Sequence, residues 1–377
     1  MRIVLAPDSF KESMSAAQAI EAMREGVRAA RPDADCVGVP MADGGEGTVD
    51  AVVDALDGER VTVEVADALG RPVQATYGHV RARGLAVIEM AAAAGLELIA
   101  PAERDVLRAG TFGVGQLISD ALDRGATEFL IGLGGSATND GGAGMLTALG
   151  GRLYDGAGAP LPPGGAALAD LDRIDLDGLD PRLSAVRIQL ACDVTAPLLG
   201  PTGASAVFGP QKGASAADVA RLEAALARFA EVADAAHAET PGAGAAGGLG
   251  FALLEFLGAT SRPGVEVVAE TVGLEQALRG AAWVLTGEGG VDAQTLMGKT
   301  PFGVAQVAAR TGTRVAIFAG RVGDDASVLL EHGVDEIVGI TPAGTPLERA
   351  LREGPQSLAR AVADFLRRAD TESRESR

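Results

Sequence analysis

Three lysines are the residues of this chain best suited to anion chemistry. Only Lys11, Lys212 and Lys299 among the 32 basic residues are lysine, and all the others are arginine. Each lies in a segment rich in glycine, proline or hydroxyl residues (SFKES, FGPQKGAS and MGKTP), which is typical of loops and helix starts. An ammonium group is a compact point charge that fits a narrow phosphate pocket, whereas guanidinium is a wide planar fork. The three lysines therefore predict an anion site, although any one of them alone is equally well an ordinary surface lysine.

Carboxylates that follow apolar runs indicate a metal-assisted reaction. The segments ADGGEGT (42–48), ACDVT (191–195) and TGEGGVD (286–292) each carry an acid just beyond such a run. Carboxylate oxygens are hard ligands that suit Mg²⁺, the ion that normally carries phosphates. A single acid before glycine is most often an ordinary turn residue. Three such segments together with three loop lysines favour phosphoryl transfer, which needs positioned charges and one carboxylate for the attacking hydroxyl.

The segment GLGGSA (132–137) imitates the glycine fingerprint of dinucleotide-binding folds. Its continuation places Asn139 and Asp140 where an apolar first helical turn should begin, so the pattern alone is weak. We interpret it instead as a loop whose backbone N–H groups, with Ser136 and Thr138, hold phosphate at a helix start. A nicotinamide-dependent hydroxy-acid oxidoreductase stays open as an alternative on this segment.

The segment MGKT (297–300) resembles the end of a nucleotide-binding P-loop. Ala293 stands where that motif requires its first glycine, which disfavours the P-loop fold. Thr300 is expected to cap a helix that has Pro301 at its first position, so that Lys299 lies at a helix N-terminus.

The composition describes a soluble globular protein of about two domains. The 377 residues are 47% hydrophobic and 22% charged, and no apolar run is long enough to predict a membrane span. The formal net charge of −19 argues against nucleic acid and anionic membranes as partners. Because the chain starts directly in a strand-like run and has only Cys36 and Cys192, we expect a cytoplasmic protein with reduced thiols. Its three histidines lie far apart in sequence, so a zinc site is not expected.

Seven short apolar runs are each followed by a polar, glycine-rich segment. Runs of this kind predict strands that are buried on both faces of a parallel sheet. They begin RIVL, DCVGV, FLIGL, VRIQLA, WVLTG, RVAIFAG and EIVGI. Helical patterns after several of them, such as the capping box of Ser15 and Gln18, predict βα units. The segment VTVEVADALGRPVQATYGHVRARGLAVIEMA predicts antiparallel hairpins, and a further helix is expected to start at Ser215.

We therefore predict an α/β fold in which a Rossmann-like parallel-sheet domain carries a smaller mixed α/β domain as an insertion, with the active site in the cleft between them. The first domain is predicted to comprise residues 1–62, 114–200 and 281–377. The inserted domain is predicted to comprise residues 63–113 and 201–280, and a disordered tail is expected over 368–377.

Taken in order along the chain, these motifs resemble those of the bacterial type I glycerate kinase family. The matching text covers nearly the whole length: APDSFKESMSA, PMADGGEGT, AVIEMAAAAGL, IGLGGSATNDGGAGMLTALG, ACDVTAPLLGPTGASAVFGPQKGA, PGAGAAGGLGF and TGEGGVDAQTLMGKTPFGVA. The resemblance implies ATP-dependent phosphorylation of D-glycerate, usually at the 2-hydroxyl, in glyoxylate, glycolate or sugar-acid catabolism. It also implies two dissimilar α/β domains with the site between them. The chain departs from the family at Glu12, where glycine is usual, at Ala196, where asparagine is usual, and at Gly290, where a basic or polar residue is frequent.

The predicted catalytic residues are two carboxylates and one lysine. Asp193 is predicted to accept the proton of the substrate hydroxyl, with Asp8 as its alternative, and Lys11 to contact the transferring phosphate or the substrate carboxylate. The candidate ligands of Mg²⁺ are Asp43, Glu46 and Asp292. The residues predicted to bind substrate or phosphate are Ser9, Gly134, Gly135, Ser136, Thr138, Asn139, Asp140, Lys212, Glu288, Lys299 and Thr300.

The expected partners are small molecules. ATP is the expected co-substrate, Mg²⁺ the expected cofactor and D-glycerate the expected acceptor, in a monomer or a homodimer. Phosphorylation at the 3-hydroxyl stays open, and so does a non-catalytic sensor of a sugar acid, which would keep the binding residues without needing the carboxylates.

Overall fold

The computed structural model describes the backbone of residues 1–375 and the side chains of residues 1–369. Its strands are β1 Arg2–Leu5, β2 Asp35–Gly38, β3 Glu59–Ala66, β4 Pro72–Val80, β5 Leu85–Glu89, β6 Glu128–Gly132, β7 Arg152–Asp155, β8 Leu171–Asp175, β9 Arg187–Ala191, β10 Thr260–Arg262, β11 Trp283–Val291, β12 Arg314–Val322 and β13 Glu336–Gly339. Its α-helices are α1 Ala16–Ala30, α2 Thr48–Leu56, α3 Ala91–Ala94, α4 Phe112–Asp123, α5 Ala143–Ala148, α6 Ala204–Phe208, α7 Ala216–Val232, α8 Ala245–Leu257, α9 Gly264–Thr271, α10 Leu274–Leu278, α11 Thr300–Thr311, α12 Leu347–Arg352 and α13 Gly354–Glu375.

The chain divides into two compact units. The first unit comprises Met1–Asp43, Asp50–Asp57 and Pro263–Arg377, and the second comprises Gly44–Val49 and Gly58–Arg262. The second unit is therefore an insertion in the sequence of the first. Within the described part of the chain, no helix combines the length and the apolar character that a bilayer crossing requires.

The first unit is built on a five-stranded parallel sheet with the order β13-β12-β11-β1-β2. The side chains of Ile3, Val4 and Leu5 on β1 are fully buried, as a strand covered on both faces requires. One face packs against α1 and α13, with Met23 and Phe365 in its core. The other face packs against α9, α10 and α11. This arrangement confirms the parallel α/β architecture that the apolar runs predict.

The second unit is built on a six-stranded mixed sheet with the order β10-β9-β6-β5-β4-β3. Strands β3 and β4 form an antiparallel hairpin, and β4 pairs antiparallel with β5. Strands β5, β6, β9 and β10 are parallel neighbours. The antiparallel hairpins expected from the alternating segment are therefore present, beside parallel strands in the same sheet.

The boundary between the two units differs from the predicted one. The sequence predicts residues 114–200 in the first domain, but β6 pairs with β5, β9 pairs with β6, and both strands belong to the second unit. The sequence predicts residues 263–280 in the insertion, but α9 and α10 pack against the sheet of the first unit. A buried parallel strand has the same apolar sequence whichever sheet it joins, so the seven runs do not reveal their partners.

The helix starts follow from their capping residues. The Ser15 hydroxyl accepts the backbone N–H of Gln18, and the Gln18 side-chain oxygen accepts the backbone N–H of Ser15. These two bonds confirm the predicted capping box of α1. Ser215 forms the same box with Asp218 at the start of α7. At α11 the expectation was wrong by one residue: the N-cap is Lys299, and Thr300 is already helical. The Thr300 hydroxyl is bonded to a carboxylate elsewhere in the first unit and is not used as a cap.

The last helix, α13, extends over Gly354–Glu375. Its C-terminal part overlaps the segment predicted as a disordered tail, and Ser376 and Arg377 at the end of that segment lie outside the described residues.

Candidate active site

Three acids lie at or just beyond the carboxyl-terminal parts of neighbouring strands in the first unit. Asp8 follows β1, Asp43 follows β2 and Glu288 lies near the end of β11, and these strands are adjacent in the sheet. Ligands of open parallel sheets bind at this edge. The charges of Asp8 and Asp43 both act on Glu288, and that of Asp43 acts on Asp8. The three carboxylates therefore form one electrostatically coupled group.

Asp8 is a buried carboxylate held by two donors. Its Oδ1 accepts the N–H of Ser9 at 2.6 Å, and its Oδ2 accepts the hydroxyl of Thr300 at 2.5 Å. Burial raises the pKa of Asp8 to about 6, with a further rise from the Asp43 charge, against the lowering effect of these hydrogen bonds. The pKa of Asp8 is thus close to neutral pH, as is favourable for a group that transfers protons at that pH.

Glu288 faces the amino group of Lys299. Glu288 Oε1 lies 3.7 Å from Lys299 Nζ and accepts no hydrogen bond from any described residue. Lys299 Nζ donates to the backbone carbonyl of Gly290 at 3.4 Å. Burial raises the pKa of Glu288 to about 7; the Lys299 charge lowers it, and the charges of Asp8 and Asp43 raise it further. A cation near Glu288 Oε1 would satisfy this buried oxygen.

Lys11 lies on the exposed loop that follows Asp8 and Ser9. The backbone of this loop runs beside the end of β11, since a Cβ added to Gly289 would lie 3.7 Å from the backbone nitrogen of Lys11. The next residue, Glu12, has φ +62°, a left-handed conformation that favours glycine. The sequence departure at Glu12 therefore falls at a position where glycine would relieve strain.

The predicted metal ligands do not form a metal cage. Asp292 caps a short 3₁₀ turn, where its Oδ1 accepts the Gln294 N–H at 2.9 Å. Glu46 is exposed and belongs to the second unit. Among the described residues no group of three or more His, Cys, Asp or Glu side chains is arranged to hold a metal ion. Of the three predicted metal ligands, Asp43 is the one that acts electrostatically on Asp8 and Glu288.

The glycine loop after β6, residues 133–142, belongs to the second unit. Gly134 and Gly135 are exposed, whereas residues 136–142 are buried. Gly135 has φ +73°, so the exposed turn depends on a glycine at that position. Within the predicted phosphate loop, these two glycines are the exposed residues.

Lys212 is buried beneath the glycine loop, with 2% of its surface exposed. Its Nζ donates to Ser136 Oγ at 2.9 Å and to the Thr138 carbonyl at 2.7 Å. Burial lowers the pKa of Lys212 to about 7, and the charge of Asp140 acts in the opposite direction. Lys212 therefore stabilises the glycine loop through buried hydrogen bonds. The sequence predicted an exposed contact with phosphate instead.

Asp140 is fully buried and ties together the starts of two helices. Its Oδ2 accepts the N–H and the hydroxyl of Thr111 at 2.8 and 2.9 Å and the Gly144 N–H at 3.0 Å, while its Oδ1 accepts the Gly142 N–H at 3.1 Å. Burial raises the pKa of Asp140, and these four bonds act against that rise. Asp140 thus satisfies N–H groups at the starts of α4 and α5.

Asn139 and Thr138 are also buried within the second unit. Asn139 Nδ2 donates to Ser205 Oγ at 3.0 Å, and the Thr138 hydroxyl donates to the Ala246 carbonyl at 3.4 Å. Thr111 and Ser205, the hydroxyl partners of this loop, were not predicted. Neither lies in a glycine-rich segment with an acid, so no pattern in the sequence marks them.

Asp193 lies two residues beyond the end of β9 and is exposed. It is close enough to Cys192 for its charge to raise the pKa of that thiol, after the larger effect of burial. Its role as base stays a prediction, and so does a single site built from both units.

The structure thus brings the predicted residues together in two separate sets. Asp8, Asp43, Glu288, Lys299 and Thr300 form the carboxylate–lysine group of the first unit. Ser136, Thr138, Asn139, Asp140 and Lys212 form the buried support of the glycine loop in the second unit.

Comparison with known proteins identifies the class and then the family. The crystal structure of a Salmonella typhimurium LT2 protein described as a glycerate kinase 2 superposes with a TM-score of 0.91 at 46% identity and covers 99% of both chains. The Bacillus subtilis "Glycerate kinase" is 47% identical over 369 residues, 97% of each chain. The Escherichia coli "Glycerate 2-kinase" is 47% identical over 365 residues, 96% of each chain. The protein is therefore an α/β phosphotransferase, a kinase. Residues 3–370 match the glycerate kinase family, and the chain belongs to that family.

Proposed function

We propose that this kinase transfers the γ-phosphoryl group of ATP to the 2-hydroxyl of D-glycerate, giving 2-phosphoglycerate, in glyoxylate, glycolate or sugar-acid catabolism. The observation that carries the proposal is the near full-length match to a relative named for 2-phosphorylation. The carboxylate–lysine group of the first unit supports it, because phosphoryl transfer depends on positioned charges and needs no histidine.

Mg²⁺ fits the acids of the first unit. Glu288 Oε1 is a buried acceptor without a hydrogen bond among the described residues, and it is coupled to Asp8 and Asp43. Mg²⁺ is usually held by one or two carboxylates together with substrate phosphates and water, so a complete protein cage is not required. We propose Asp43 and Glu288 as its ligands. When bound, the ion would neutralise phosphate charge during transfer.

Asp8 is the carboxylate that we propose as the base. It is buried, the hydroxyl of Thr300 fixes one of its oxygens, and its pKa of about 6 leaves it ionised yet basic at neutral pH. Asp193 is exposed, whereas Asp8 is buried, so Asp193 becomes the alternative. Replacement of a general base lowers turnover by about 10²–10⁴-fold.

The positive charge for the transferred group comes from Lys299 and Lys11. Lys299 is the N-cap of α11, and its ammonium group lies 3.7 Å from Glu288 Oε1. The positive end of the helix adds to the favourable field for an anion near its first turn. Lys11 is the exposed ammonium on the loop beside the end of β11. Both favour a phosphate anion near the carboxylate group, where the acids alone would repel it.

The reaction is tested by incubating the protein with ATP, Mg²⁺ and D-glycerate and analysing the product by phosphorus-coupled carbon NMR. Coupling centred on carbon 2 supports the proposal, and coupling centred on carbon 3 would establish 3-phosphorylation instead. L-glycerate is the matched control for stereochemistry. Absence of any phosphorylated product while glycerate binds would favour a sensor, and reduction of a nicotinamide cofactor by glycerate would favour the oxidoreductase.

The base is tested with two matched variants, Asp8→Asn and Asp193→Asn. The proposal requires a large loss of turnover in the first, with the binding of Mg²⁺ and ATP retained. If Asp193→Asn alone lost turnover in this way, Asp193 would be the base.

A further inference from the structure

Arg321 is an exposed residue near the carboxyl end of β12, in the first unit. Strands β11 and β12 are parallel, and their register places Gly290 opposite Arg321. A Cβ added to Gly290 would lie 3.9 Å from the Arg321 Cβ. The carbonyl of Gly290 accepts a hydrogen bond from Lys299 Nζ at 3.4 Å. The Arg321 side chain therefore starts beside the backbone segment that Lys299 contacts.

The alternation of β12 places Arg321 on the face of its sheet that α11 covers. Ile317 and Ala319, on the same strand, belong to the hydrophobic core between the sheet and α11. Side chains two residues apart in a strand point to the same face, so Arg321 continues this row beyond the core. Glu288 lies opposite Ala319 on β11. Because a strand rises about 3.3 Å per residue, Arg321 and Glu288 lie on one face with an offset of about 7 Å along the strands.

The guanidinium group of Arg321 forms no ion pair and no hydrogen bond with the residues whose side chains are described. Glu288 faces Lys299 instead, at 3.7 Å. The acids next along the chain, Asp324 and Asp325, are exposed in the turn after β12. Arg321 therefore presents its N–H donors to solvent at the edge of the sheet where the substrates are proposed to bind.

The net charge of this edge does not by itself attract an anion, because its acids are no fewer than its cations. Asp8, Asp43 and Glu288 are, however, the proposed base and Mg²⁺ ligands, and a bound Mg²⁺ would compensate much of their charge. An anionic substrate group then needs donors that contact it directly. Arginine provides such donors in a planar fork, which pairs with a carboxylate or a phosphate through two parallel hydrogen bonds.

We propose that Arg321 is a substrate-binding residue of the phosphoryl-transfer site, and that its guanidinium group binds an oxyanion of the substrates. This inference rests on the proposed function, since that function brings two anions to this edge of the sheet. The carboxylate of the acceptor and the terminal phosphate of the donor share the required chemistry. Titration of each substrate alone separates these two sources.

The test measures the binding of each substrate to full-length Arg321→Ala and Arg321→Lys by calorimetric titration. D-glycerate is one ligand, and a non-hydrolysable ATP analogue with Mg²⁺ is the other. Arg321→Ala should raise the Kd of one of them by about 10–100-fold, as the loss of hydrogen bonds to a charged group does. Arg321→Lys keeps the charge but lacks the fork, so it should recover part of the affinity. A higher Kd for glycerate identifies the carboxylate as the bound group, and a higher Kd for the analogue identifies the phosphate.

The double variant Gly290→Arg/Arg321→Ala moves the guanidinium group to the neighbouring strand. The φ angle of Gly290 is not in the left-handed region, and a Cβ there would meet its nearest neighbour, the backbone oxygen of Arg321, at 3.8 Å. A side chain is therefore tolerated at this position, and the double variant should recover affinity that Arg321→Ala loses. A merely structural Arg321 would not give this recovery.

Arg360→Ala is the matched control. Arg360 is exposed on α13, which packs on the opposite face of the sheet, so its replacement should leave both Kd values unchanged. Because Arg321 is exposed as well, the urea midpoint of Arg321→Ala should equal that of the parent.

Unchanged Kd values for both ligands in Arg321→Ala would overturn the proposal. An equal loss of affinity in Arg360→Ala would also overturn it, because the effect would then be one of overall charge. A loss that is accompanied by a lower urea midpoint and is not recovered by the double variant would establish a structural role instead. Phosphorylation by the parent is assayed first. Absence of product there contradicts the proposed function, whereas the titrations report on Arg321 whether or not phosphoryl transfer occurs.

Discussion

The hydroxyl of Thr300 lies 2.5 Å from Asp8 Oδ2, across 292 positions of sequence. This bond joins the first turn of α11 to the loop after β1, the elements that also carry Lys299 and Lys11. A helix N-terminus favours negative charge, whereas burial disfavours it. Asp8 is therefore a carboxylate whose ionised form is oriented by its neighbours but remains costly, and its replacement should affect stability and turnover in opposite directions.

We expect Asp8→Asn to lower turnover by at least ~10²-fold and to stabilise the metal-free protein at pH 8 by about 1–3 kcal/mol. Because burial raises the pKa of Asp8 to about 6, the folded state binds more protons than the unfolded state between about pH 4 and 6. The contribution of Asp8 to stability therefore falls as pH rises through this window. The asparagine variant lacks this loss. Urea unfolding at pH 4.5 and pH 8, with the rate at pH 8, tests both effects.

The isosteric variant Thr300→Val is the control for this interpretation. It removes the oriented hydrogen bond and leaves the carboxylate, so it should lower turnover less than Asp8→Asn and should destabilise the protein. A stability of Asp8→Asn equal to that of the parent at both pH values would contradict a strained carboxylate.

Asp292 is expected to act as a cap and not as a metal ligand. Asp292→Ala should cost about 1 kcal/mol of stability, because the N–H of Gln294 loses its acceptor. Asp292→Ser keeps a capping oxygen and should restore stability. Turnover and its dependence on Mg²⁺ concentration should be close to the parent in both. A large rise in the Mg²⁺ requirement that serine does not rescue would restore Asp292 as a ligand.

The exposed Lys11 should matter for turnover and not for folding. Lys11→Ala removes a side chain with little burial, so stability should change by less than about 0.5 kcal/mol. Turnover should fall by about 10²-fold or more if its charge meets the transferring phosphate or the substrate carboxylate. Arg28→Ala, which removes an exposed charge on α1, is the matched control. Near-normal turnover of Lys11→Ala would remove Lys11 from the site.

Local sequence signals identified many of the helices and strands, because those signals depend on neighbours along the chain. The capping residue Ser15 and the apolar run of β1 determine structure within a few positions. The partner of a buried strand depends on packing at long range, so residues 114–200 were assigned to the wrong sheet. Thr300 looks like a cap in sequence because threonine often caps helices, but its hydroxyl is bonded to Asp8.

Burial was the property of the candidate site that sequence could not supply. Lys212 and Asp140 lie among glycines and polar residues, a context typical of exposed anion-binding loops. In the structure both are buried, and their polar atoms are bonded to backbone groups and hydroxyls that come from distant segments. A glycine loop that binds a ligand and a glycine loop that packs over a buried lysine have similar sequences.

Glu12→Gly should stabilise the protein by up to ~1 kcal/mol. The left-handed φ of +62° at Glu12 costs a residue with a Cβ about 1–2 kcal/mol, and the greater freedom of glycine in the unfolded state offsets part of the gain. Thermal and urea unfolding of Glu12→Gly and of Glu12→Ala test this. The alanine variant removes the same carboxylate but keeps the strain, so it should not be stabilised.

Lys212 gives the last prediction, on the charge of a buried lysine. Because burial lowers the pKa of Lys212 to about 7, the unfolded state binds more protons than the folded state between about pH 7 and the ordinary lysine range near 10. The contribution of Lys212 to stability therefore rises with pH across this window. Lys212→Met has no titrating group there, so the stability of the parent minus that of Lys212→Met should increase from pH 7 to pH 9.5. Subtracting the variant cancels all other titrations. Urea unfolding at three pH values measures this difference, and the far-UV circular dichroism of the variant shows whether it folds.

A difference that stays constant with pH would mean that Lys212 remains charged, stabilised by the charge of Asp140. In that case the Ser136 hydroxyl accepts a hydrogen bond from a charged group at every pH tested. Ser136→Ala should then destabilise the protein equally at pH 7 and pH 9.5, whereas a neutral amine predicts a smaller loss at the higher pH.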